Sequence, residues 1–197
     1  MATGDDKRFA ELVAIACHDL RSPLAVVYGF SRTLTRTALD ERGARYVGMI
    51  DAASNQLGEL LDELSLVTRI EAGRFTPELA EADSAELARA AAAELTDDRL
   101  AVSGEGGSVL VPARDITRAL SRLGKAAARH GGHDSVDLVV NGAELRISPI
   151  SRTAEPVVLG RELRELSAAA AVALIEALGG SLAVEDETLV IRLPTSE

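Results

Sequence analysis

Two long stretches of apolar residues at alternating steps of three and four constrain this chain more than any other feature. In the first, Phe9, Val13, Ala16, Leu20, Pro23, Val27, Phe30 and Leu34 recur at the interval that lines up one stripe of an α-helix. The stripe predicts a single helix from about Asp5 to Thr37, roughly 50 Å long at the usual rise, with a local kink at Pro23. After a polar break at Asp40 to Gly43 a second seam runs through Tyr46, Ile50, Ala53, Leu57, Leu60, Leu64 and Val67, ending at Ala72 and Gly73. Two antiparallel helices cannot hide stripes this wide from water by themselves, so the hairpin is expected to pair with a second copy as a four-helix bundle.

Beyond Phe75 the pattern changes, so domains are expected at 1–74 and 75–197. Asp83 or Ser84 can cap a helix through Leu95, and Leu100 to Ser103 and Val109 to Val111 read as strands around a Gly104 to Gly107 turn. A helix follows over Asp115 to His130. Ser135 to Val140 and Glu144 to Ile147 flank Asn141-Gly142, a strong hairpin signal. Arg161 to Leu178 reads as helix, stopped by Gly179-Gly180, and Ser181 to Val184 with Thr188 to Leu193 closes the chain as a hairpin. The fold class is therefore α+β: a long helical hairpin, then a two-layer α/β sandwich with a mostly antiparallel sheet.

Charge narrows the partners. The net formal charge is −10, about −2 up to Arg74 and about −8 beyond it, with no concentrated basic surface for nucleic acid. The single cysteine, Cys17, excludes an internal disulfide, reads as a small buried side chain, and fits a reducing cytoplasm. The start, MATGDDKRF, lacks an apolar signal region, and the Ala-rich stretch Ser167 to Leu178 is too short to span a membrane, so no membrane association is expected.

Residues 9–24, FAELVAIACHDLRSPL, resemble the H-box of sensor histidine kinases, in which a histidine, an acid, Leu, Arg, a small residue, Pro and Leu mark the phosphoaccepting helix. LVTRIEAGRF, at the end of the second seam, resembles the segment that joins such a hairpin to a catalytic domain. Independently of that likeness, residue 18 lies about 200° around the helix from Ala16, turned away from the seam. Neutral imidazole is a competent nitrogen nucleophile near physiological pH. Arg21 and Ser22 follow at three and four residues and share its face, so a guanidinium and a hydroxyl can reach a phosphoryl group on His18. Spacing does not point Asp19 at His18; its role in orienting the ring or assisting deprotonation is implied by the resemblance alone. A lone exposed histidine is by default merely solvated; the whole string and the two seams argue against that here.

The remainder resembles the ATP-binding domain of those kinases, but not at its site residues. LVPARDITRALSRLGKAAARH is similar to the segment bearing two magnesium- and phosphate-binding asparagines, and places Arg122 and Ala126 there. An alanine methyl cannot coordinate a metal. Arg129 and His130 keep the basic-aromatic character of the next positions and read as solvated helix-end residues. Pro149 stands where the family's adenine-binding Asp is implied, with Ser151 and Thr153 at the following glycines. Glu165-Leu166-Ser167 replaces a phosphate-facing Gly-Leu-Gly, setting a carboxylate where triphosphate would approach. His130 and His133 lack an accompanying Cys or acidic ligand set in the sequence, so no metal is assigned to them.

What the resemblance implies is a histidine phosphotransferase similar to the ChpT class, a kinase-like bundle with a degenerate ATP domain, relaying phosphoryl groups between receiver-domain aspartates through His18. It would be a homodimer that binds no cofactor itself, takes its magnesium from the receiver partner, and meets response-regulator receivers or a hybrid histidine kinase. Docking is expected on the helix beyond the histidine, at Ala25, Val26 and Gly29, although such small residues equally serve bundle packing. Two other readings of the same residues stay open at this level: a kinase core with a divergent ATP site, and a scaffold that regulates signalling partners without carrying phosphate. Phosphatase activity, through Ser22 orienting a water, is a weaker extension.

Overall fold

The computed structural model describes residues 4–37, 39–95 and 100–195, with side chains from residue 13 onward. The chain divides into two units, Met1–Phe75 and Thr76–Glu197.

The first unit is a pair of antiparallel helices, α1 (Gly4–Leu34) and α2 (Glu41–Glu71). Helix α1 stays helical through Pro23, where a kink was expected. Asp40 starts α2 by accepting from the Gly43 N–H at 2.8 Å, satisfying a donor that the first helical turn leaves unpaired. The helix thus begins inside the stretch read as a polar break.

The two helices face each other along lines other than the apolar seams. Arg21 lies opposite Asp62, Leu24 opposite Gly58, and Ser31 opposite Asp51. Among the described side chains of this unit, Cys17 and Ser31 on α1 and Val47, Ser54, Glu63 and Thr68 on α2 are buried. The seams foreseen through Leu20, Val27 and Phe30, and through Tyr46, Ile50 and Leu57, are exposed, Phe30 at 68% and Leu57 at 53%. On both helices the buried line sits largely one residue further on, about 100° round the helix. Phe9 lies outside the described side chains.

The second unit has a five-stranded sheet in the order β2-β4-β5-β7-β6 and a two-stranded sheet of β1 (Ala80–Asp83) with β3 (Ser108–Val111). The large sheet comprises β2 (Leu100–Gly106), β4 (Val136–Gly142), β5 (Glu144–Ser148), β6 (Ser181–Glu185) and β7 (Thr188–Arg192). All its pairings are antiparallel except β2 with β4. Helices α3 (Ser84–Ala93), α4 (Ala113–Gly131) and α6 (Leu166–Ala177) form the second layer, with the short α5 (Glu155–Val158) beside α4 and α6. Period-two alternation sends Val136, Leu138 and Val140 of β4 inward, against Ile116, Leu120 and Leu123 of α4 and Leu174 and Ile175 of α6 in a buried aliphatic core; each such side chain contributes about 1.5–3 kcal/mol by leaving water.

Three expectations change here. Leu100 to Ser103 and Val109 to Val111 do not pair with each other but belong to different sheets. The foreseen Gly104 to Gly107 turn is mostly strand: Gly104, at φ +95, brings the backbone against the Val140 carbonyl where a Cβ would collide, and the ladder runs on to Gly106. Helix does not begin at Arg161, because Gly160 turns at φ +64 and the N–H groups of Arg161 and Glu162 both donate to the Pro156 carbonyl. Among the described residues no helix is long and apolar enough to cross a membrane.

Candidate functional site

His18 lies near the middle of α1, with 82% of its side chain exposed. Its exposure follows from the helical period, because the buried neighbour Cys17 is one residue, or 100°, away. Nδ1 lies 3.2 Å from Oδ1 of Asp19. A carboxylate only accepts, so in this contact Nδ1 is the donor, which in the neutral ring leaves the lone pair on Nε2. The structure thus brings Asp19 to His18, which spacing did not foresee.

Arg21 points elsewhere than its spacing suggested. Its Nη2 donates to Asp62 Oδ1 at 2.8 Å and to Ser65 Oγ at 3.2 Å, so the guanidinium is tied across to α2. Ser22, Ala25, Val26 and Gly29 are exposed and follow His18 at four, seven, eight and eleven residues, one continuous face of α1. Asp62 and Ser65 escaped the sequence reading; three residues apart on α2, they are visible only once the antiparallel register is known.

In the second unit, several of the residues aligned with a nucleotide site contact one another. Ala126 is fully buried within α4. His130 was read as a solvated helix end, yet 20% of its side chain is exposed and its Nε2 lies 2.9 Å from Oε2 of Glu165, itself 12% exposed. Arg129 comes within 3.7 Å of the same oxygen, and Ser167 Oγ donates to Oε1 at 3.2 Å. Thr153 Oγ1 donates to the His130 carbonyl at 2.8 Å and lies 2.8 Å from Ser151 Oγ. Pro149 follows the end of β5, and Arg122 is half-buried. Gly132, at φ +70, caps α4. Among the described residues no group of three His, Cys, Asp or Glu side chains is arranged to hold a metal.

Comparison with known proteins places the first unit. Residues 10–73 match the His Kinase A (phospho-acceptor) domain. Over 67 residues the chain is 39% identical to the circadian input-output histidine kinase CikA of Synechococcus elongatus, and over 70 residues 31% identical to the sensor protein DivL of Caulobacter vibrioides. These matches cover 32% and 35% of this chain and 9% of each relative. The fold is shared more widely: full-length ShkA, solved in complex with AMPPNP, superposes with a TM-score of 0.68 at 20% identity over 94% of this chain and 46% of its own. Acinetobacter baumannii histidine kinase AdeS gives 0.59 at 16% identity, over 91% of this chain and 98% of its own.

Proposed function

With residues 10–73 a His Kinase A (phospho-acceptor) domain in a chain folded like a histidine kinase, we propose that this two-component signalling protein is a phosphorelay intermediate. His18 takes a phosphoryl group from a receiver-domain aspartate and returns it to another. The Nε2 lone pair attacks phosphorus, an N–P bond forms as the acyl phosphate O–P bond breaks, and the aspartate leaves as carboxylate. Asp19 keeps the proton on Nδ1 throughout, and the magnesium belongs to the receiver partner.

One observation carries the choice of relay over autokinase: Glu165 is engaged by His130 at 2.9 Å where the aligned kinase segment would meet triphosphate. The residues present do not fit ATP and magnesium. Ala126 offers a buried methyl in place of a metal-binding amide, and Pro149 offers neither a carboxylate nor an N–H to adenine. A carboxylate beside triphosphate adds repulsion, and freeing it would break its contacts with His130 and Arg129.

The exposed stripes of α1 and α2 support a homodimer, because Leu20, Val27, Phe30, Ile50 and Leu57 form an apolar face that a second copy would bury as a four-helix bundle. Ser22, Ala25, Val26 and Gly29 extend from His18 as the surface on which a receiver docks.

The test mixes the chain with phosphorylated receiver domains and follows labelled phosphate. Label should reach His18 and then a second receiver, be absent from His18→Ala, and not be acquired from ATP alone. Incorporation from ATP with no other kinase present would replace the relay by a kinase core, and full signalling by His18→Ala would replace it by a scaffold.

A further inference from the structure

Helical spacing nominates Arg21 as the cation beside His18, yet Asp62 and Ser65 hold its guanidinium across the hairpin. A different cation shares the histidine's surroundings. Helix α2 ends with the Gly73 N–H donating to the Ile70 carbonyl at 2.9 Å and the Arg74 N–H to the Arg69 carbonyl at 2.8 Å. This paired closure requires a left-handed residue, here Gly73 at φ +65, and it folds residue 74 back toward the helices. Arg74 then lines an open cavity of about 310 Å³ together with Ala14, Ile15 and His18. Among the described residues its side chain makes no hydrogen bond or ion pair. Ala14 and Ile15 supply apolar walls, and a charge contact beside apolar surface is screened less than one in open water.

We propose that Arg74 is the phosphoryl-binding residue of His18, contacting the phosphoryl oxygens when Nε2 is loaded; this rests on the reading of His18 as a phosphoacceptor. As the N–P bond forms and the donor's bond to phosphorus breaks, the proton stays on Nδ1, donated to Asp19, and Arg74 gives up no proton. It donates N–H groups to the phosphoryl oxygens, and among the described lining residues it is the one cation. Arg74 lies one residue beyond the segment that matches the phospho-acceptor domain, so the domain match does not assign it.

The test treats the full chain with potassium phosphoramidate, a small donor that loads histidine with loss of ammonia and needs no partner protein. Wild type should load at His18. Arg74→Gln should load about tenfold more slowly, the loss of one charge-assisted contact, and raise the titration midpoint of the phosphoryl group followed by ³¹P NMR. Arg74→Lys should recover part of both, with helicity and elution volume unchanged in each variant. Equal loading and equal phosphoryl titration in wild type and Arg74→Gln would overturn the role of Arg74 while leaving the phosphoacceptor reading intact. Slower loading accompanied by lost helicity, with the titration unmoved, would also overturn it. If wild type did not load at His18, the reading beneath the proposal would fall, and the proposal with it.

Discussion

The two units of this chain treat their apolar side chains in opposite ways. Thr76–Glu197 turns Leu120, Leu138, Leu145, Ile147, Leu174 and Ile191 inward until almost none of their surface remains. The helical pair has Cys17, Ser31, Ser54 and Thr68 buried and leaves Leu20, Phe30, Met49 and Leu57 exposed. A unit whose interior is small and partly polar, and whose exterior is aliphatic, gains little from folding alone. The mixed unit buries its apolar side chains within one chain, whereas the helical unit leaves them exposed, on the face where a second copy is proposed to pack.

The largest effect is expected at Leu57. Leu57→Glu should weaken self-association by about 3–6 kcal/mol, two apolar side chains lost per dimer, seen as a halved mass in sedimentation equilibrium; a variant that stays dimeric at micromolar concentration would remove the stripe from the interface. In the other unit, Ile147→Ala should cost about 2–5 kcal/mol in chemical denaturation and leave the association constant unchanged. Gly73→Ala forces an L side chain into the left-handed region and should cost about 1–2 kcal/mol, with hydrogen exchange rising at the end of α2. Asp83 accepts from the Ala85 and Glu86 N–H groups at 2.9 Å, so Asp83→Ala should cost about 1 kcal/mol, read as a lowered denaturation midpoint.

The smallest effect concerns pH. The Arg146 guanidinium, hydrogen-bonded at 2.8 Å, holds the half-buried Glu144 carboxyl below its ordinary 4.5, with Arg192 adding to the effect. A depressed folded-state value means the stabilisation is present above the unfolded value and is lost as pH falls through the folded one. Glu144→Gln should therefore flatten the acid side of the stability curve slightly and leave neutral pH almost untouched; an unchanged acid limb would show the ion pairs contribute nothing.

Local patterns were legible because they depend on neighbours a few residues away. The capping Asp83, the Asn141-Gly142 hairpin and the Gly179-Gly180 stop each express a backbone preference within one turn. The strand Ala80–Asp83 and the short helix Glu155–Val158 were missed, since the first exists by pairing with Ser108–Val111 and the second carries no period. The site divides in the same way. His18, Ser22, Ala25, Val26 and Gly29 could be placed on one face from spacing, whereas the attachment of Arg21 to Asp62 spans forty-one residues and Arg74 reaches the histidine's cavity only through the turn at Gly73.

From its sequence alone this chain is a helical pair followed by a mixed layered unit, with His18 facing water, because periodicity and turn chemistry act over a few residues and need no partner. Tertiary structure decided which stripe each helix buries, which cation shares a cavity with His18, and that Glu165 closes on His130. Those outcomes depend on packing and charge between distant segments, where one residue of helical offset turns a side chain through 100° and exchanges an interior contact for an exposed one.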